Sequence, residues 1–166
     1  VTGVQFEPSR LTRGEAFVGY YNWSSDNGYL DDSSGPTFGA NLQWFVTPLV
    51  TATFTASQQV LTSNYSFAGF TGSAVVSSNA GVRLDYEFRR NIVLSGWFDY
   101  LSQDYDEFPR NDNQYTVGAE LRYFINRFAT ARLNYVYTDF DTNFNNINGA
   151  ESYTRNVVTA GVTLAY

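Results

Sequence analysis

Apolar and polar residues alternate at every second position in eight segments of about ten residues, and turn residues bound each segment. In the last segment, for example, valine, alanine and leucine occupy the even positions from 158 to 164, while threonine and glycine occupy the odd ones. Because successive side chains of a β-strand point to opposite faces, this period predicts strands with one apolar and one polar face. The chain is therefore expected to be all-β.

The connections between these segments alternate in length. Short turns at 47–48, 89–91 and 126–127 alternate with long polar links at 26–35, 62–72, 103–113 and 141–152. This order predicts an antiparallel up-and-down barrel of about eight strands in residues 15–166, which is either closed by itself or part of a wider barrel. Residues 1–14 are expected to be an N-terminal extension, or the end of a preceding strand followed by a turn.

The polar face has a composition that is unusual for a surface in water. It consists mostly of threonine, serine, glycine, asparagine and glutamine, and the chain contains no lysine. Charged residues make up 16% of the chain, against about 25% in soluble domains. A soluble ligand-binding barrel would bury the apolar face and expose a face rich in charge. The composition instead favours a polar lumen inside a transmembrane barrel.

Large aromatic residues are placed at both ends of the apolar face. At the short-turn end these residues are Trp44, Phe88, Tyr123 and Tyr166, and at the long-loop end they are Tyr20, Tyr100, Tyr115 and Tyr137. Two such girdles mark the two interfaces of a bilayer in outer-membrane barrels. We therefore expect the chain to lie in the bacterial outer membrane, in contact with its lipid and lipopolysaccharide, with the long loops outside and the short turns in the periplasm.

The alternation also directs nine charged residues to the polar face: Glu15, Arg83, Asp85, Glu87, Asp99, Glu120, Arg122, Arg132 and Arg155. In a closed eight-stranded barrel, side chains fill the interior, so these charges would pair and form a plug. In a wider barrel the same charges would line a polar channel. Both arrangements fit the sequence.

Several kinds of chemistry are excluded because the chain contains no cysteine, histidine, methionine or lysine. Thiol nucleophiles, histidine-based triads, Cys/His zinc sites and Schiff bases each need one of these residues. The acidic pairs Asp31–Asp32 and Asp104–Asp106 lie in polar links, and residues 139–148 lack the glycine and glutamate spacing of a calcium loop. We expect no catalytic residues, no metal and no cofactor. A pI of 4.4 also argues against nucleic acid as a partner.

Four stretches resemble motifs of the beta-barrel porins that are found beside capsule and exopolysaccharide genes: residues 10–20, 44–49, 85–91 and 153–158. Members of that family are usually longer, and this chain is similar to their C-terminal part. The final strand, which ends at Tyr166, also resembles the C-terminal signature that the barrel-assembly machinery recognises in outer-membrane barrels.

The resemblance implies a pore or pore component, with export of capsular or extracellular polysaccharide as its role. Its expected partners are polysaccharide, proteins of an export complex and the barrel-assembly machinery. The alternative is a small, non-conducting structural or interaction barrel whose extracellular loops bind a ligand. The number of strands in the closed barrel separates these two hypotheses.

Overall fold

In the described part of the chain, nine antiparallel strands form one sheet, and each strand pairs with its neighbours in the sequence. This computed structural model describes residues 2–23, 33–67, 70–105, 110–143 and 151–165. The strands are β1 Thr2–Ser9, β2 Thr12–Trp23, β3 Ser33–Thr47, β4 Val50–Phe67, β5 Phe70–Arg89, β6 Ile92–Tyr105, β7 Asn111–Asn126, β8 Ala129–Thr142 and β9 Tyr153–Leu164. The all-β, up-and-down architecture predicted from the alternation is confirmed.

Two of the predicted links are shorter than expected. β4 continues to Phe67 and β5 begins at Phe70, so most of the link at 62–72 is strand. Likewise, β6 continues to Tyr105 and β7 begins at Asn111 within the link at 103–113. The sequence of these extensions does not alternate strictly between apolar and polar residues, which is the pattern that marks a half-buried strand, although their backbones still pair. Of the other two links, residues 26–32 and 144–150 lie outside the described residues, while residues 33–35 belong to β3 and residues 141–142 to β8.

A ninth strand, β1, precedes the eight segments that alternation identified. It pairs with β2 from Thr2 opposite Val18 to Ser9 opposite Thr12. Among the described residues no ladder joins β1 to β9, and the sheet is open. Open sheet edges do not face lipid in a membrane, because their backbone groups would lack hydrogen-bond partners. A barrel built on this sheet must therefore cover both edges.

The ladders maintain two continuous faces across all nine strands. Directly paired residues of an antiparallel ladder lie on the same face, and examples are Ala52 with Leu84 and Thr53 with Arg83. The apolar face comprises the even-numbered positions in the regular ladders of β1 to β6 and β9, and the odd-numbered positions of β7 and β8. The remaining positions form the polar face.

Burial differs sharply between the two faces. The buried side chains of the described residues are Ala52 on the apolar face and, on the polar face, Val75, Ser77, Ser95, Asp112, Thr138 and Thr142. The polar face is thus the enclosed one. On the apolar face, Leu84 is 51% exposed and Val158 is 69% exposed.

An apolar face that is left open in this way needs an apolar solvent, since a soluble monomer rarely exposes a continuous apolar surface of more than a few hundred Å². A soluble barrel with the apolar face as its core does not fit the described residues. No helix in the described part of the chain has the length and hydropathy that a membrane span requires.

Candidate functional site on the polar face

The register places all nine predicted charged residues on the polar face. Most are paired across the ladders with small or polar residues, as Glu15 is with Asn41 and Asp99 with Thr116. Three pairings differ, because Arg83 stands opposite Trp97, Glu87 opposite Val93, and Arg122 opposite Arg132. The structure brings several of these charges together in two groups, one around Arg83 and the other around Arg122, whereas Glu15 and Arg155 belong to neither group.

The first group is centred on Arg83 of β5. Its Nε lies 3.1 Å from Asp85 Oδ1, and its guanidinium carbon lies 5.2 Å from the ring centroid of Trp97. Ser95 Oγ donates a hydrogen bond of 2.6 Å to Asp85 Oδ1. The Arg83 and Asp85 side chains are 38% and 32% exposed, so solvent screens the ion pair and it contributes at most about 1 kcal/mol.

The second group lies on β7 and β8. Arg122 Nη2 lies 3.1 Å from Glu120 Oε1, which makes an ion pair along the strand. The directly opposite residue is Arg132, and like charges at opposite positions of a ladder destabilise the pair. Glu120 is thus the ionic partner of Arg122, and it lines the same depression as Arg132.

Several other charges of the polar face belong to no ion pair among the described residues. Within the described part of the chain, the ion pairs are Arg83–Asp85, Arg110–Asp112 and Arg122–Glu120. Glu15, Arg132 and Arg155 belong to none of them. A charge without a partner is stable only where water can solvate it. This face consequently requires hydration.

The charged groups line two depressions on either side of β7. The first has a volume of about 510 Å³ and is lined by, among others, Arg83, Asp85, Glu87, Arg89, Arg90 and Arg122. The second has a volume of about 410 Å³, and Glu120 and Arg132 are among its lining residues. Both depressions lie toward the short turns, because Arg89 and Arg90 are at the β5–β6 turn and Arg132 is near the start of β8.

Aromatic rings on the polar face lie over glycines of neighbouring strands, an arrangement that the sequence analysis missed. A Cβ atom added to Gly118 would overlap with the Trp97 ring, and one added to Gly39 would overlap with the Phe17 ring. Tyr21 covers Gly35 in the same way, because a Cβ atom added to Gly35 would lie 3.0 Å from the Tyr21 ring. The signal in the sequence is an aromatic residue on the polar face, and in particular Phe17, which interrupts the polarity of β2.

A third ion pair, also missed from sequence, lies at the long-loop end. Arg110 Nη2 is 2.6 Å from Asp112 Oδ2, and the Tyr105 hydroxyl donates a bond of 3.3 Å to the same oxygen. The Asp112 side chain is 3% exposed. Arg110 and Asp112 are separated by one residue, as are Arg83 and Asp85, and this spacing puts both side chains on one face of a strand.

The predicted girdle residues lie on the apolar face, except that Tyr166 is outside the described residues. The rings of Tyr100 and Tyr115 are in contact, with centroids 5.0 Å apart, and the Tyr100 hydroxyl donates a 2.6 Å bond to Asn113 Oδ1. Tyr20 is 68% exposed and its hydroxyl donates to Ser34 Oγ at 3.0 Å. These rings combine an exposed apolar body with a polar tip, which suits a membrane interface.

Among the described residues, no group of three or more acidic side chains could hold a metal ion. Of the acidic pairs considered for catalysis, Asp31, Asp32 and Asp106 lie outside the described residues. The Asp104 carboxylate accepts a hydrogen bond from the side-chain amide of Asn111. That no catalytic residue is present stays a prediction.

Comparisons with known proteins agree with this geometry. The profile of the family described as "Putative beta-barrel porin 2" matches residues 1–166. A search of curated proteins gave no match. Among solved structures, in-vitro folded OmpT, an outer membrane protein of Vibrio cholerae, is similar with a TM-score of 0.71 at 11% sequence identity. The similarity covers 99% of this chain and 48% of OmpT, so the chain spans about half the length of that protein.

Proposed function

Since this chain belongs to the putative beta-barrel porin 2 family and is a β-barrel protein of the bacterial outer membrane, we propose that it forms the wall of a water-filled pore. Its apolar face contacts the lipid and lipopolysaccharide of that membrane. The polar face is the lining of the pore, and its charges contact the solute.

The observation that carries this proposal is the incomplete pairing of charges on the polar face. A plugged barrel excludes water, and each unpaired charge inside it would carry a large desolvation penalty. Arg122 and Arg132 stand opposite each other with Glu120 as their nearby acid, and Arg155 belongs to no ion pair within the described part of the chain. A water-filled lumen accommodates all of these charges, because water solvates those that lack a partner.

The width of the sheet supports the same proposal. Eight strands make a barrel whose interior side chains fill, whereas this sheet already has nine strands and is open in the described residues. OmpT, whose fold is similar, is about twice as long as the matched region. We infer that the functional barrel is wider than nine strands.

We propose extracellular polysaccharide as the solute, with proteins of an export complex as periplasmic partners and β9 as the strand that the barrel-assembly machinery recognises. The polar face supports this solute in two ways. Its hydroxyl and amide side chains can exchange hydrogen bonds with sugar hydroxyls. The rings of Trp97 and Phe17 lie over Gly118 and Gly39 on the polar face, and an aromatic ring in the wall of a lumen can stack on the C–H face of a sugar.

The full-length protein, reconstituted in a planar bilayer, is expected to show stepwise ion conductance. Arg122→Gln should shift the reversal potential in a salt gradient, because the guanidinium faces the ion path. Arg122→Ala should lower the free energy of unfolding by no more than about 1 kcal/mol, the value for a solvated ion pair.

A plugged barrel gives the opposite pair of results. Conductance would be absent, and Arg122→Ala would lower the free energy of unfolding by about 3–5 kcal/mol, because Glu120 would be left as an uncompensated buried charge. Those two results together would refute the pore and favour the non-conducting structural barrel.

The orientation of the barrel can be tested with single cysteines, since the chain has none of its own. Outer-membrane barrels place long loops outside the cell and short turns in the periplasm. We expect a membrane-impermeant maleimide to label Glu151→Cys on intact cells and to leave Asn91→Cys unlabelled until the cells are permeabilised. Both positions are exposed, so accessibility alone does not separate them. Labelling of Asn91→Cys on intact cells would reverse the assigned orientation.

A further inference from the structure

The arginines of this chain are concentrated at one end of the sheet. Eight of the ten lie in the half nearest the short turns: Arg10, Arg13, Arg83, Arg89, Arg90, Arg122, Arg127 and Arg132. The long-loop end carries acids instead, which among the described residues are Asp104, Asp112, Asp139, Asp141 and Glu151. The arginine-rich short-turn end is therefore the end that would attract an acidic solute.

Five of these arginines form what we call the short-turn arginine cluster: Arg83, Arg89, Arg90, Arg122 and Arg132. The first four line the depression of about 510 Å³. Arg132 stands opposite Arg122 and lines the adjoining depression of about 410 Å³. The acids that line these depressions are Asp85, Glu87 and Glu120, so positive charge is in excess.

Ion pairs within the described part of the chain do not neutralise the excess positive charge of this cluster. Arg83 and Arg122 each have one carboxylate partner, whereas Arg89, Arg90 and Arg132 belong to no ion pair there. Placing Arg122 opposite Arg132 is unfavourable unless a negative group lies between them. Glu120 is a partner of Arg122 but stands directly opposite Asn134. The arrangement is thus suited to an anion that comes from outside the chain.

The position and the chemistry of the cluster limit the kind of anion that it can bind. Arg83, Arg122 and Arg132 lie on the polar face, away from the apolar face that contacts lipid, so lipid headgroups are not the ligand. The guanidinium group binds carboxylates in a bidentate manner, and several arginines on neighbouring strands can bind several carboxylates of one chain. We propose that the short-turn arginine cluster is a binding site for acidic polysaccharide, which it captures through carboxylate groups at the periplasmic mouth.

This inference rests on the proposed pore for its biological setting, but binding itself does not require conduction. The test is calorimetric titration of the full-length protein in detergent at low salt with oligogalacturonate, and with a neutral malto-oligosaccharide of the same length. We expect binding of the acidic oligomer that weakens as salt is added, and at least tenfold weaker binding of the neutral one.

Matched variants locate the site. Arg122→Gln combined with Arg132→Gln should weaken oligogalacturonate binding at least tenfold. Lysine at the same two positions should bind more tightly than the glutamine variant but more weakly than the wild type, because the positive charge remains while the planar, bidentate guanidinium group is lost. Arg127→Gln is the control, since it removes a charge at the same end of the sheet from a residue that stacks on Phe128 outside both depressions. That variant should bind within twofold of the wild type. Retention of the electrophoretic shift between boiled and unboiled samples verifies that each variant is folded.

The outcomes distinguish the two proposals. Conductance without selective binding, or an equal loss in Arg127→Gln and the double variant, would overturn the acidic-glycan site and leave the pore standing. Selective binding that only the double variant loses supports the site, and it does so even where conductance is absent and the pore proposal fails.

Discussion

Replacing Leu84 with arginine is expected to destabilise the protein in lipid by about 2–4 kcal/mol, the effect of a cation on the lipid-facing surface near the bilayer midplane. Leu84 is 51% exposed on the apolar face, opposite Ala52 on β4 and Gly96 on β6. The new arginine would have no acidic side chain beside it, because the residues paired with position 84 on that face are Ala52 and Gly96. The free energy of unfolding in urea, measured in lipid vesicles, checks the value.

Thr55→Arg is the matched control, because it introduces the same side chain in the adjacent strand on the polar face. Thr55 stands opposite Gly81, and the Asp99 carboxylate lies over that glycine, so the new guanidinium has both water and an acid nearby. We expect a loss of about 1 kcal/mol or less. Equal losses in the two variants would show that the lipid-facing and lumen-facing sides are assigned wrongly.

The second large effect is expected from Gly118→Ala. Alanine in place of a strand glycine usually stabilises by about 0.5–1 kcal/mol, because the unfolded chain loses freedom. At this position the new methyl group would overlap with the Trp97 ring, which is rigid and must move away from the wall. Overpacking of this kind costs about 1–3 kcal/mol, so we expect net destabilisation. Unfolding in urea measures it, and a change in the tryptophan emission spectrum would report the displaced ring.

Gly161→Ala provides the comparison on the same face. A Cβ atom at Gly161 would meet nothing within 4 Å, so the substitution should leave the stability unchanged or raise it slightly. If Gly118→Ala were as stable as Gly161→Ala, the Trp97 ring would not lie over the glycine, and the stacking surface that supports a sugar solute would be lost with it.

Much of the fold could be predicted from sequence because the period of a strand is a local property. The alternation in residues 158–164 or 80–88 indicates which residues share a face, and this inference does not require the neighbouring strand to be known. The same reasoning placed Arg83, Asp85 and Glu120 together on one face before any ladder was known. It failed at residues 62–67, 70–72 and 103–105, where the sequence does not alternate strictly between apolar and polar residues although the backbone pairing continues.

The partners of individual side chains could not be predicted, since they depend on the register between strands. A shift of two residues between β7 and β8 would keep every residue on its face and yet separate Arg122 from Arg132. The position of the Trp97 ring over Gly118 depends in the same way on the register between β6 and β7. The depression that Arg83 and Arg122 share depends on the registers from β5 to β7.

The sequence by itself determined that this chain forms antiparallel strands with one apolar and one polar face, and that arginines collect near the short turns. These properties follow from spacing along the chain, which local geometry converts directly into position. Composition favoured the polar face as the enclosed one, but the tertiary structure decided it. The tertiary structure alone decided that a ninth strand joins the sheet and that Arg122 meets Arg132. The alternation of side chains is the same whichever face of the sheet lies on the inside of the barrel. Contacts between strands arise only when the sheet assembles.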